Sequence, residues 1–217
     1  MIRVLFELYL FPDKVDKVVL NSFAIRKPNF MEDKPPQLCI IPLHKPSLKE
    51  LTFFFISGSL LSFPFVLLFS QIYVFFPLAL SLVVLGPFVE EFAKVFPLFY
   101  RHGETERSYV TIGLLIGLGF GISEFFLYIF FLGAPPIVRV PGVILHASWA
   151  AITAYGIAKK NPLPYYLIAA SLHLTANFVA LEVAVPFGSF VQLLVLIVAY
   201  LLAWRFYNQA SKEKIVV

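Results

Sequence analysis

Residues 109–132 read YVTIGLLIGLGFGISEFFLYIFFL, and the only charged side chain among them is that of Glu124. About 20 apolar residues in an α-helix cross the hydrocarbon core of a bilayer. Other apolar segments of similar length lie at 51–70, 74–99, 141–158, 164–182 and 186–206. The sequence therefore predicts an all-α fold, a polytopic membrane helix bundle of about six transmembrane helices.

The chain outside this bundle is short. Residues 1–50 hold eight of the 17 Lys and Arg residues and six acids, which predicts a small N-terminal extramembrane region. The bundle itself is assigned to 51–207 and a tail to 208–217. Cys39 is the single cysteine, so an internal disulfide is excluded and we interpret it as a small apolar residue.

Composition and charge indicate the solvent and the orientation. The chain is 59% hydrophobic and 14% charged, whereas soluble domains are about 25% charged. Its net charge of +4 does not indicate nucleic-acid binding, because 15 of the 17 basic residues fall on one side of the predicted spans and Arg139 alone on the other. Basic loops stay in the cytoplasm. We therefore predict a multi-pass protein of the cell membrane with both termini cytoplasmic.

Seven polar residues interrupt the apolar spans. A charged side chain at mid-bilayer costs about 2.5–3.5 kcal/mol, so such residues face one another or a wet cavity and serve a function. They are Glu90, Glu91, Lys94, Glu124, His146, His173 and Asn177.

Helical spacing predicts which way these residues point. Gly113, Gly117 and Gly121 share a helix face with Glu124, and a row of small residues lets helices approach closely in lipid. Glu124 is therefore expected to point into the bundle, and His173 and Asn177, one turn apart, to share an inward face. Pro87 is expected to release the Val83 carbonyl and to kink the second span.

The same residues form a recognisable pattern: Glu90-Glu91-Phe92-Ala93-Lys94, Phe120-Gly121-Ile122-Ser123-Glu124, His146-Ala147-Ser148-Trp149 and His173-Leu174-Thr175-Ala176-Asn177. The pattern resembles the PrsW family of intramembrane proteases, whose motifs are EExxK, FxxxE, a histidine helix and HxxxN. That family lies within the wider group that includes the CAAX prenyl proteases. The CAAX enzymes have EExxxR and FxxxH, so Lys94 and Glu124 favour PrsW and disfavour a prenylated substrate. The resemblance covers about 75–180, and residues 1–50 resemble nothing comparable.

The resemblance implies an intramembrane endopeptidase that hydrolyses a peptide bond with glutamate-activated water. Hydrolysis needs a base, donors to the oxyanion and an acid for the leaving amine. We predict Glu90 or Glu91 as the base and His173 with Asn177 as the oxyanion donors, with Lys94 and Phe120 in support. By resemblance the substrate is a single-span membrane protein of the anti-sigma-factor kind, cut near the extracytoplasmic side.

Two alternatives stay open from the sequence. Glu124, His146 and His173 form a plausible zinc set with one open position, whereas the metal-free alternative has carboxylates that share a proton. The rival function is a proton- or cation-coupled transporter or channel that uses the same Glu and His residues as a relay. No inverted repeat of the kind seen in many transporters is visible in the sequence.

Overall fold

The structure, a computed structural model, describes residues 43–72, 77, 80–100 and 104–216. Most of the predicted N-terminal region, with Cys39, lies outside the described residues. Within them the chain forms six α-helices, which are α1 (Leu48–Ile72), α2 (Gly86–Val95), α3 (Glu106–Leu132), α4 (Pro136–Ala158), α5 (Pro162–Glu182) and α6 (Phe187–Gln209). A π-helix (Leu80–Leu85) precedes α2, and a 3₁₀ helix (Phe96–Tyr100) follows it.

The prediction of a mostly helical protein with membrane-spanning helices is confirmed. Among the described residues, α3, α4 and α6 are long and apolar enough to cross a membrane. Large apolar side chains on their outer faces are exposed, such as those of Phe130, Phe131 and Leu201. Lipid is as apolar as these side chains, so their exposure is what a bilayer requires.

Local signals in the sequence explain where these helices begin and end. The Thr105 hydroxyl accepts a hydrogen bond from the Ser108 N–H and caps α3, and Gly133 ends α3 in the left-handed conformation that glycine adopts without strain. Pro136 and Pro162 occupy the first turns of α4 and α5, where a missing N–H costs nothing. As a result α4 begins five residues before the predicted span at 141.

The second span departs from the prediction. Instead of one kinked α-helix over 74–99, the described part changes from π-helix to α-helix at Gly86. In a π-helix each carbonyl bonds to the N–H five residues later, and the residue five after Leu82 is Pro87, which has no N–H. The carbonyl that accepts another partner is therefore that of Leu82, not Val83, and it accepts from the Asn177 side chain.

The centre of the bundle is α4. Its residues from Leu145 to Ala158 are nearly all buried, against α1, α2 and α3 on one side and against α5 and α6 on the other. Close contact with α3 depends on the glycine row. A Cβ at Gly117 would overlap the carbonyl oxygen of His146, and one at Gly121 would lie 2.8 Å from the Cα of Val143. The small residues thus place His146 directly against α3, the helix that carries Glu124.

The predicted C-terminal tail is folded onto one end of the bundle as far as it is described. Two-residue strands β1 (Glu104–Thr105) and β2 (Ile215–Val216) pair antiparallel. The fully buried carboxylate of Glu106 binds the Lys159 ammonium at 2.6 Å and the Lys214 ammonium at 3.2 Å. The start of α3, the α4–α5 turn and the tail therefore meet at the same end.

Candidate active site

Five of the seven polar residues singled out in the sequence meet in one network of contacts between four helices. α2 supplies the two adjacent glutamates and the lysine, α3 one glutamate, α4 one histidine, and α5 the other histidine with the asparagine. The chain of contacts joins Glu91, Lys94, Glu124, His146 and His173. The shared helix faces inferred from spacing are therefore oriented as predicted.

A buried ion pair forms the base of this network. The Lys94 ammonium donates to Glu91 Oε1 at 2.6 Å, and both side chains are 0% exposed. The same oxygen accepts a hydrogen bond from His173 Nδ1 at 2.8 Å. Since an ionised carboxylate only accepts, Nδ1 of His173 carries the hydrogen and its Nε2 keeps a lone pair.

His146 connects the ion pair to α3. Lys94 donates to its Nδ1 at 2.7 Å, and an ammonium has no acceptor, so Nδ1 is the unprotonated nitrogen. Its Nε2 therefore carries the hydrogen and donates it to the carboxylate of Glu124. Both ring nitrogens of His146 are engaged, and the ring is neutral in this arrangement.

Glu90 differs from Glu91 although the two are neighbours in sequence. Its nearest cation is Lys94, at 4.0 Å from Oε2, which is longer than a hydrogen bond. Oε2 is buried and has no hydrogen-bond partner among the described residues. The Glu90 side chain is 15% exposed, whereas that of Glu91 is fully buried. Glu90 is therefore the glutamate of α2 that has a free lone pair and is also partly accessible.

Aromatic rings surround the charged groups. The Lys94 ammonium lies 4.3 Å from the centre of the Phe120 ring, which explains the predicted supporting role of Phe120. The indole of Trp149 stacks on the His173 ring at 4.2 Å. Trp149 is 2% exposed and its Nε1 donor has no partner among the described residues. Sequence reasoning missed Trp149, although its place three residues after His146 puts it on the same helix face.

Two hydrogen bonds from α5 fix the segment that carries the glutamates. Asn177 Nδ2 donates to the Leu82 carbonyl at 2.9 Å. The Tyr166 hydroxyl donates to the Phe88 carbonyl at 2.8 Å. Asn177 thus has a structural contact that was not predicted, and one of its two amide hydrogens stays available.

A cavity of about 660 Å³ opens beside the network, between α3, α4, α5 and α6. Glu124, His146, His173 and Asn177 line it, together with Trp149. The cavity is also lined by polar residues that sequence reasoning did not single out as site residues, namely Tyr128, Arg139, Ser189 and Gln192. Glu90 and Glu91 are not among the residues that line this cavity, but Glu91 binds His173, and a carboxylate oxygen of Glu90 lies within 4.8 Å of a ring nitrogen of each histidine.

The donor atoms that lie close enough for a metal are not those predicted. Among the described residues one group qualifies, Glu90, His146 and His173, with donor atoms within 4.8 Å of one another. The predicted set had Glu124 in place of Glu90. Two histidines and one carboxylate match a catalytic zinc site in type. However, Lys94 and Glu124 occupy both nitrogens of His146, so the set does not fit a divalent cation while these contacts persist.

Comparisons with protein-family models, with curated proteins and with solved structures each found no match for this chain.

Proposed function

We propose that the protein is an intramembrane endopeptidase of the PrsW type, which hydrolyses a peptide bond in a membrane-anchored protein. One observation carries the proposal: Glu90, a partly exposed carboxylate whose Oε2 has no hydrogen-bond partner among the described residues, lies beside two neutral histidines that line a cavity. Free carboxylates are costly in such surroundings and mark functional groups. The order and type of the motifs, which resemble those of PrsW proteases, add to this support.

In this proposal Glu90 is the general base and Glu91 is not. Glu91 is fully buried, and one of its oxygens is shared by Lys94 and His173, so it orients these groups. Glu90 has the lone pairs to take a proton from water and to return it to the leaving amine. His173 lines the cavity, and its Nε2 has a lone pair that can accept a hydrogen bond from that water.

The negative charge of the tetrahedral intermediate needs hydrogen-bond donors. His173 was predicted as one of them, but its single hydrogen is given to Glu91. Asn177 retains one amide hydrogen after its bond to Leu82. We therefore assign the oxyanion contact to Asn177 and to the unpartnered Nε1 of Trp149, which also lines the cavity.

The proposed substrate is a single-span membrane protein of the anti-sigma-factor kind, cut near the extracytoplasmic side. The cavity supports this side, because it extends from His146 toward Arg139, at the end of α4 opposite to Lys159. By the distribution of basic residues, Lys159 is cytoplasmic and Arg139 is outside. Substrate and water then enter from the outer surface.

Six spans with both termini in the cytoplasm complete the proposal. A reporter enzyme fused at Arg139 is expected to be active on the outside, and the same reporter fused after Val217 on the inside, because basic segments stay in the cytoplasm. Reporter activity in intact cells checks both fusions. The same sidedness for the two fusions would contradict six spans.

We expect hydrolysis without a metal, because both ring nitrogens of His146 already have hydrogen-bond partners. Protein treated with a strong chelator is expected to keep its peptidase activity, because Lys94 and Glu124 already hold both nitrogens. Activity on a reconstituted substrate and metal content by mass spectrometry are measured on the same sample. Activity that disappears with chelation and returns with zinc would contradict this and would place the metal on Glu90, His146 and His173.

The function itself is tested by comparing membrane-protein fragments in cells that express either the parent protein or Glu90→Gln. Fragments that depend on Glu90 and that map to the outer half of a single span are the expected result. Identical fragment sets would remove the protease function. Proton or cation flux in vesicles that also depends on Glu90 would then favour the transporter or channel alternative.

A further inference from the structure

Arg139 borders the catalytic network through Glu124 and has no role in the chemistry proposed above. It lies in the first turn of α4 and lines the cavity together with Glu124 and His146. Its guanidinium carbon lies 3.5 Å from the centre of the Tyr128 ring, so the plane of the group is held by the ring. The side chain is 26% exposed, which leaves it accessible from the cavity.

The hydrogen-bonding capacity of Arg139 is not used up. Its nearest carboxylate oxygen is Glu124 Oε1, at 3.6 Å from Nη2, beyond hydrogen-bond distance. The other oxygen of Glu124 is taken by His146. Nε of Arg139 is buried and has no partner among the described residues. A guanidinium has five donors in a planar fork, which matches a carboxylate with two parallel hydrogen bonds.

The surroundings favour an anionic ligand at this position. Apart from Arg139 and Glu124, the residues that line the cavity carry no charge in this arrangement, and they include the polar residues Tyr128, Ser189 and Gln192. An apolar substrate segment would leave the Nε donor buried and unsatisfied, and a neutral carbonyl would bind the guanidinium more weakly than a carboxylate does. A carboxylate would satisfy it and leave Glu124 paired with His146.

The distance along α4 places this contact relative to the reacting bond. Arg139 precedes His146 by seven residues, about 10.5 Å along a helix at 1.5 Å per residue, and this is an upper limit because the guanidinium reaches back toward Glu124. An extended chain covers that distance in about three residues. We propose that Arg139 selects substrates by binding a carboxylate up to about three residues to the outer side of the cleaved bond. This inference rests on the proposed peptidase function.

Binding rather than turnover tests the inference, so that it does not depend on catalysis. The probes are synthetic single-span peptides that differ only three residues outward from mid-span, with Glu in one and Gln in the other. A second pair ends at that position, with a free carboxylate or an amide, and distinguishes a side-chain carboxylate from a chain terminus. The protein carries Glu90→Gln to prevent cleavage and Trp204→Phe, which leaves Trp149 in the cavity as the single tryptophan fluorophore.

The protein that retains Arg139 is expected to bind the carboxylate peptide of one of the two pairs at least about tenfold more tightly than the neutral peptide of that pair, because charge-assisted hydrogen bonds are stronger than neutral ones. Arg139→Gln should remove this preference, and Arg139→Lys, which keeps the charge but not the fork, should retain part of it. Unchanged thermal unfolding of both variants shows that the fold is intact. Arg139→Glu should prefer a peptide with Lys at the same position.

Equal or absent binding of the paired peptides by Arg139 protein would overturn the inference, and so would a preference that survives in Arg139→Gln. Vesicles of phosphatidylglycerol, compared with phosphatidylcholine, supply a competing phosphate. If the anionic lipid displaces the carboxylate peptide, the site is a lipid site and the inference is overturned. If the carboxylate peptide binds selectively but the protein that retains Glu90 does not cleave it, the result would count against the peptidase function alone.

Discussion

Glu90→Gln is expected to lower the rate of peptide-bond hydrolysis by about 10²–10⁴-fold, the usual contribution of a general base. The substitution keeps the shape of the side chain and removes its ability to take a proton. Glu90 Oε2 has no hydrogen-bond partner among the described residues, so no hydrogen bond is lost, and Lys94, 4.0 Å away, keeps its closer partner Glu91. The change should therefore act on turnover and leave stability unaltered.

The measurement uses purified protein in lipid vesicles with a single-span substrate, and it reports kcat and KM separately. Glu182→Gln, an exposed residue at the end of α5, is the matched control and should behave like the parent. A fall in kcat with KM unchanged is the signature of a group that acts in the transition state. Undiminished turnover of Glu90→Gln would remove Glu90 from the mechanism, and harmless Glu91→Gln and Glu124→Gln variants as well would remove the protease function.

Glu90 and Glu91 show what the sequence was able to predict about the site and what it was not. Both lie in an apolar span, and that alone indicated function. Consecutive residues of an α-helix point about 100° apart, so only one of the two can bind the lysine and the histidine directly. Which one does so depends on how α2 is rotated against α5, and this is fixed by tertiary contacts such as that of Tyr166 with Phe88.

The close packing of α3 through its glycine row was predictable from the sequence, as were the helices themselves. Period and residue size are local properties, and they placed Glu124 against His146 as found. The π-helix before Gly86 was not predictable, because Pro87 permits a kink, a break or a change of register alike. The hydrogen bond from Asn177, which lies on another helix, identifies Leu82 as the residue whose carbonyl is released.

The predicted metal set differs in its carboxylate from the donor atoms that the structure brings together, for a related reason. Glu124 lies on the histidine side of α3, and from spacing it was the natural third ligand. In the structure it binds Nε2 of His146 and leaves the position near both histidines to Glu90. Spacing gives the face of a residue but not its depth relative to residues on other helices.

Lys94 carries the second large prediction, which concerns stability. Lys94→Met is expected to lower the free energy of unfolding by about 3–5 kcal/mol, because removing one member of a buried ion pair leaves the other charge uncompensated. Lys94 and Glu91 are both 0% exposed, and Lys94 also donates to His146. Methionine has a similar length and volume, so the loss reflects charge and hydrogen bonding rather than a cavity.

The double variant Glu91→Gln, Lys94→Met separates charge from packing. It removes both members of the buried ion pair, and the amide carbonyl that Glu91→Gln introduces can still accept the hydrogen of His173 Nδ1, so most of the lost stability should return. Unfolding of purified protein in mixed micelles, followed by circular dichroism, measures all three forms. Lys212→Met, at an exposed site, is the matched control and should lie within about 0.5 kcal/mol of the parent. A double variant as unstable as Lys94→Met would show that the ammonium supports the fold through His146 and Phe120 instead of through Glu91.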